Sequence, residues 1–338
     1  MCKIMQLAGF VSVITLTSAL SGAASAEPIK VIASFSIIAD LAKNVGGDRV
    51  EITTLVGPNG DAHVYEPKPA DAVAVSKADV VLVNGLQFEG FLQRLVEASG
   101  TKAPVVELTK GGDVLKNSEE EHHHGGEEVE GETEEEEAAE ASHDHAGHSH
   151  EGHDHAGHHH HGEFDPHAWQ SVPNAEIYVK NIAEALCTAD AEGCDTFKAN
   201  AETYGGELRK LDEEIKASIA AISENKRTII TSHEAFGYFA HEYGLTFLAP
   251  EGVSTESEAS AADVAALIKQ IREDKASAIF VENITNARLA EQIASETGIE
   301  IGGTLYSDAL SDESGPAPTY IDMMKHNAQT ITAAVSGN

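Results

Sequence analysis

Basic side chains are scarce in this chain: 22 Lys and Arg face 56 Asp and Glu, a formal net charge of −34. That balance argues against nucleic acid and anionic membrane as partners. Cysteine is scarcer still, three in 338 residues. Cys2 precedes an N-terminal apolar run, so it is not the lipidated first residue of a processed chain. Cys187 and Cys194 have six residues between them, a spacing that matches no zinc ribbon. In an oxidising compartment the leading reading for the pair is a disulfide, with two buried thiols as the alternative. Long apolar runs are absent apart from residues 7–20, which fall short of the roughly 20 residues a membrane span needs. There is also no H-E-x-x-H. Glu234 follows His233, but Gly237 stands where the second histidine of a zinc hydrolase would be, which argues against an enzyme.

What is present begins with a leader. Lys3, the apolar run and Ala24-Ser25-Ala26 form an export signal with cleavage expected after Ala26, which predicts an exported, periplasmic protein. Behind it, short β-branched runs alternate with helical patterns. Strands are expected at 29–35, 50–56, 79–83 and 104–108, then at 227–231, 245–248, 278–281 and 300–306. Helices are expected at 37–45, 71–76 and 88–96, then at 234–243, 264–271, 287–297 and 320–335. Such alternation predicts an α/β fold with parallel sheets. Between the two blocks, residues 174–223 read as helical with a break near 188–194, and 195–223 is long enough to bridge two lobes. The expected organisation is a leader at 1–26, an N-terminal α/β lobe at 27–172, a helical region at 173–224 carrying the linking helix, and a C-terminal α/β lobe at 225–338.

The composition changes abruptly at 117–163. This segment holds 13 of the 18 histidines and few apolar side chains, and it repeats His-Asp-His-Ala-Gly-His at 143–148 and 153–158. Too little apolar surface is available to offset the entropy of ordering, so a disordered loop is expected. Its clustered imidazoles, among them His143, His145, His148, His150, His153, His155 and His158, are candidate secondary metal contacts. The competing reading is a solvated linker.

Five histidines lie outside that segment. His63 follows the strand at 50–56 through a Gly/Pro/Asn loop, His167 sits in the turn Asp165-Pro166-His167, and His233 comes just after the strand at 227–231. Asp308 follows the strand at 300–306. Ligands of open α/β sheets bind outside the carboxyl ends of strands, and a cleft between lobes would gather all four. Three neutral imidazoles and a carboxylate suit tetrahedral Zn2+, whereas oxygen-rich sites suit Mn2+ or Ca2+. His241 and His326 lie within helices and read as surface or packing residues.

Gly57-Pro58-Asn59-Gly60-Asp61-Ala62-His63-Val64-Tyr65-Glu66-Pro67 resembles the H-x-Y-x-P motif of the cluster A-I solute-binding proteins of metal ABC transporters. Asp165-Pro166-His167-Ala168-Trp169 resembles their D-P-H-x-W motif, Thr231 to Tyr238 their third motif and Tyr306-Ser307-Asp308 their fourth. Histidine at the third position and an acidic, His-rich loop are similar to the zinc branch, ZnuA. The resemblance implies a monomeric zinc receptor, two lobes on a rigid helix, and a cognate inner-membrane permease with its ATPase. It leaves the fourth ligand open between Asp308, another carboxylate and water. A periplasmic zinc buffer or metallochaperone is the alternative function.

Overall fold

Ile29–Phe35 forms β1, and every residue of it except Lys30 is buried. A strand covered on both faces reads as a continuous apolar run, as this one does. It sits inside a four-stranded sheet of order β2-β1-β3-β4, with β2 at Val50–Val56, β3 at Val80–Val83 and β4 at Val105–Glu107. All pairings in it are parallel. A second four-stranded sheet has the order β6-β5-β7-β8, built from Thr228–Ile230 (β5), Thr246–Leu248 (β6), Ile279–Glu282 (β7) and Ile301–Leu305 (β8). Its pairings are parallel too. In each sheet the chain leaves its first strand toward one side and returns to the other. That reversal opens a crevice at the carboxyl ends of the strands. The computed structural model describes residues 27–117 and 162–336. The leader expected at 1–26 and the histidines of the expected loop, from His122 to His161, lie outside the described residues.

Helices cover both sheets. α1 (Ser36–Gly46), α2 (Pro69–Ser76) and α3 (Leu92–Ser99) belong to the first block, and α6 (Gly237–Tyr243), α7 (Ala261–Asp274), α8 (Arg288–Thr297) and α9 (Tyr320–Ser336) to the second. Between them lie α4 (Val172–Ala189) and α5 (Cys194–Ala220). A disulfide joins Cys187 to Cys194 across the sharp turn between these two helices. α5 has 27 residues, so it is about 40 Å long. It packs on α4 and α1 on one side and on α9 and α6 on the other, which makes it the helix joining the lobes.

The apolar core follows that helix. One continuous set of buried side chains runs from Ile32, Phe35 and Leu41 through Tyr178, Ile182 and Leu208 to Phe239, Tyr320 and Met324. A smaller core of Ile230, Val264, Leu267, Ile271 and Ile279 lies under α7. The main core is thus shared by both lobes, which ties them together through packing as well as through the chain.

Two helices begin later than their hydrophobic spacing predicts. The stretch expected to be helical from Phe88 starts at Leu92, because Leu86 and Gln87 adopt left-handed conformations (φ 53° and 64°) that turn the chain first. The stretch expected from Glu234 starts at Gly237. Residues 231–236 instead form a loop whose His233 pairs with Glu251 in an isolated bridge. That loop carries the site.

Candidate metal centre

Each candidate side chain is held by its own local device. The β2 loop reaches His63 through an Asx turn, with Asp61 Oδ1 accepting from the His63 backbone N–H at 2.9 Å. The other oxygen of Asp61 accepts from the Thr255 hydroxyl of the opposite lobe at 2.6 Å. The same turn recurs at His167, whose backbone N–H donates to Asp165 Oδ1 at 2.9 Å. That oxygen also lies 2.7 Å from His167 Nδ1, which places the ring proton on Nδ1 and leaves Nε2 as the lone-pair donor. Gly237 makes room for this carboxylate, since an added Cβ would stand 2.5 Å from Asp165 Oδ2. His233 lies past the end of β5, with Nδ1 2.7 Å from Glu282 Oε2. Glu282 Oε1 accepts from the backbone N–H groups of Ser232 and His233 at 2.8 and 3.0 Å.

The three imidazoles point at one carboxylate. Asp308 Oδ2 lies 3.2 Å from His63 Nε2 and 3.3 Å from His233 Nε2, and Oδ1 lies 3.7 Å from His167 Nε2. One ligand atom from each of the four residues falls within 4.8 Å of the others. His167, His233 and Asp308 are wholly buried and His63 is 8% exposed. Among the described residues, all three Nε2 atoms and both Asp308 oxygens lack a hydrogen-bond partner. Such a concentration of buried, unsatisfied donors and acceptors is costly in a closed protein core. It becomes favourable once a cation sits between them, and the donor set fits a tetrahedral divalent ion.

Electrostatics agree with that arrangement. Burial lowers the pKa of His63, against the raising effect of Asp308. For His233 burial acts in the same direction, but Glu282 and Asp308 together outweigh it and hold the ring well above its ordinary value. Asp308 is itself disfavoured by burial, yet His167 and His233 hold it well below the usual carboxylate range. The cleft therefore keeps its anion and holds a proton that an incoming cation displaces.

All four candidate ligands of the sequence reading meet here, whereas His241 and His326 do not. His241 is exposed on α6, and His326 Nε2 lies 2.9 Å from the Thr304 carbonyl oxygen. Sequence reasoning missed the role of Glu282, because the strand expected at 278–281 stopped one residue short of it. The available signal was an acid closing the apolar run Ala278-Ile279-Phe280-Val281. Replacing Glu282 with glutamine keeps the size and removes the charge behind His233. Metal affinity is expected to fall about 10-fold, the lower end for an outer-shell partner, in a chelator-competition titration.

A family model for ZnuA, the periplasmic zinc-uptake complex component A, matches residues 31–334. The chain belongs to the ZnuA family. Among its relatives, the manganese-binding lipoprotein MntA of Halalkalibacterium halodurans is 33% identical over 310 residues, covering 92% of this chain and 89% of MntA. The iron ABC transporter substrate-binding lipoprotein MtsA of Streptococcus pyogenes serotype M1 is 31% identical over 333 residues, 98% and 97% of the two chains. Among solved structures, the periplasmic zinc-binding protein TroA of Treponema pallidum superposes with a TM-score of 0.76 at 28% identity, covering 92% of this chain and 99% of TroA. This ZnuA-family chain is thus a metal-binding substrate-binding protein of ABC transporters and not an enzyme. Proteins of this kind work with a membrane permease and an ATPase. Its two-lobe α/β architecture is the one found in TroA.

Proposed function

We propose that this protein is a periplasmic zinc receptor, exported by its leader at 1–26, that binds one Zn2+ through His63, His167, His233 and Asp308. It hands the ion to a cognate inner-membrane permease driven by its ATPase. In this reading residues 27–172 and 225–338 are the two lobes, 173–224 is the linking region, and the protein acts as a monomer. The observation that carries the reading is the set of three buried, partnerless Nε2 atoms around one buried carboxylate. Relatives are named for manganese and iron; what supports zinc over manganese is the donor set, because imidazole-rich ligation favours the later first-row ions and Mn2+ prefers carboxylate and carbonyl oxygen. Native mass spectrometry with metal analysis of the mature protein tests it. One zinc per chain, retained against an excess of Mn2+, is the expected result. Preferential retention of manganese or iron would overturn the zinc assignment.

The loop histidines, His143 to His158 among them, are proposed to bind further zinc ions weakly. The chain on either side of the loop closes on itself, with the Asn117 N–H donating to the Glu163 carbonyl at 3.0 Å. Deleting 118–161 is therefore expected to leave the fold intact, since loop length alters closure entropy by only about 0.6 kcal/mol per doubling. Isothermal titration should show the tight site retained and the weaker equivalents gone. Loss of the tight site would place a ligand inside the loop.

A further inference from the structure

Asp308 is preceded by Ser307, whose carbonyl oxygen accepts two hydrogen bonds from the opposite lobe. Trp169 Nε1 donates at 2.9 Å and Gln170 Nε2 at 2.7 Å. Both donors lie in the 3₁₀ turn Ala168–Gln170 that directly follows His167. The peptide bearing one candidate ligand is thereby fastened to the turn bearing another, 137 residues away in sequence.

Stability alone does not account for Gln170. Its side chain is wholly buried, and its Oε1 has no hydrogen-bond partner among the described residues. A buried amide with one end unmet is a net cost, and methionine, of similar volume, would avoid it. Among the described residues, the one bond this amide makes is the one to Ser307. Trp169 is seated to keep the turn still. Its ring packs on Phe35 and Phe88 with centroids 5.0 and 4.8 Å away. Its carbonyl accepts from the Tyr320 hydroxyl at 2.7 Å. From the other side Asn327 grips the residue before Ser307, accepting from the Tyr306 N–H at 2.9 Å and donating to the Tyr306 carbonyl at 2.8 Å.

We propose that Trp169 and Gln170 are positioning residues for the cleft, setting the Asp308 carboxylate against the three imidazoles through the Ser307 carbonyl. Carboxylate–zinc bonds are about 2.0–2.2 Å long, so a displacement of a few tenths of an ångström at the Ser307–Asp308 peptide weakens one bond of the set. The inference rests on the reading of His63, His167, His233 and Asp308 as ligands.

The test is a double-mutant cycle read by zinc affinity. Gln170→Met is expected to weaken binding about 10-fold in the otherwise native protein, as loss of an outer-shell contact does. In the Asp308→Ala background it is expected to change affinity less than about twofold, because the group it positions is gone. With Co2+ in place of zinc, the visible spectrum should change on Gln170→Met and stay constant for the same substitution in the Asp308→Ala background. Trp169→Phe removes the indole donor while keeping a ring, and it serves if Gln170→Met fails to fold. If Asp308→Ala leaves affinity untouched, the ligand assignment falls and the positioning role with it. If Asp308→Ala weakens binding but the Gln170 effect is equal in both backgrounds, or nil in both, the positioning role alone is overturned.

Discussion

His233→Ala is expected to lower zinc affinity at least about 100-fold, or about 2.7 kcal/mol, with His241→Ala leaving it unchanged. Two effects add at His233. The substitution removes one of three Nε2 donors, and it strands Glu282 and Asp308, whose carboxylates lie 2.7 and 3.3 Å from the two ring nitrogens. His241 lies eight residues further along the chain but is exposed on α6, outside the cluster. The fold is expected to survive the His241 change, whose side chain is exposed, and far-UV circular dichroism checks that His233→Ala, made at a wholly buried site, is still folded. A chelator-competition titration decides the matter. Equal losses from the two variants would remove His233 from the ligand set.

Lowering the pH from 7.5 to 5 is expected to weaken zinc binding more than about 100-fold, because each bound metal must displace protons from imidazole. The sign and the onset follow from the site. Unperturbed histidines, with values of about 6.5, would confine the loss to pH below about 6. Burial opposes charge on His233, yet Glu282 and Asp308 raise its pKa well above that value. Its proton therefore still competes with the metal near neutrality, and affinity keeps rising with pH above 7, by about one proton per ion. His63, lowered by burial, joins the competition only in more acidic solution. Asp308 stays ionised throughout. The slope should steepen toward about three protons per ion as the solution is acidified. A binding constant flat across this range would exclude histidine as the principal ligand type.

Much of the architecture is local and was therefore legible without a structure. Alternation of β-branched strands with amphipathic helices announces two parallel sheets, and the Ala/Glu/Lys/Leu-rich stretch before residue 223 announces the helix between them. The positions of His63, His233 and Asp308 just beyond strands mark them as candidates through chain order alone. The starts of α3 and α6 depart from the apolar spacing for a physical reason. Apolar spacing continues through Phe88 and Phe236, yet the backbone there is diverted, by left-handed residues at Leu86 and Gln87 and by N–H groups at Ser232 and His233 that bond to Glu282.

Residue order alone sets which chemistry is available: imidazole and carboxylate at strand ends, a pair of cysteines seven positions apart, and a histidine-rich segment poor in apolar side chains. What those groups do to one another depends on how the lobes pack. The four candidate ligand atoms lie within 4.8 Å of one another, brought from both lobes that α5 joins by packing on α1 and α4 and on α6 and α9. Glu282 stands behind His233 from 49 residues away, and the Ser307 carbonyl receives Trp169 and Gln170 from 138 and 137 residues away. Residue type and spacing carry no trace of such pairings, because the orientation of a hydrogen bond and the loss of solvent around a charge exist only once the lobes have packed.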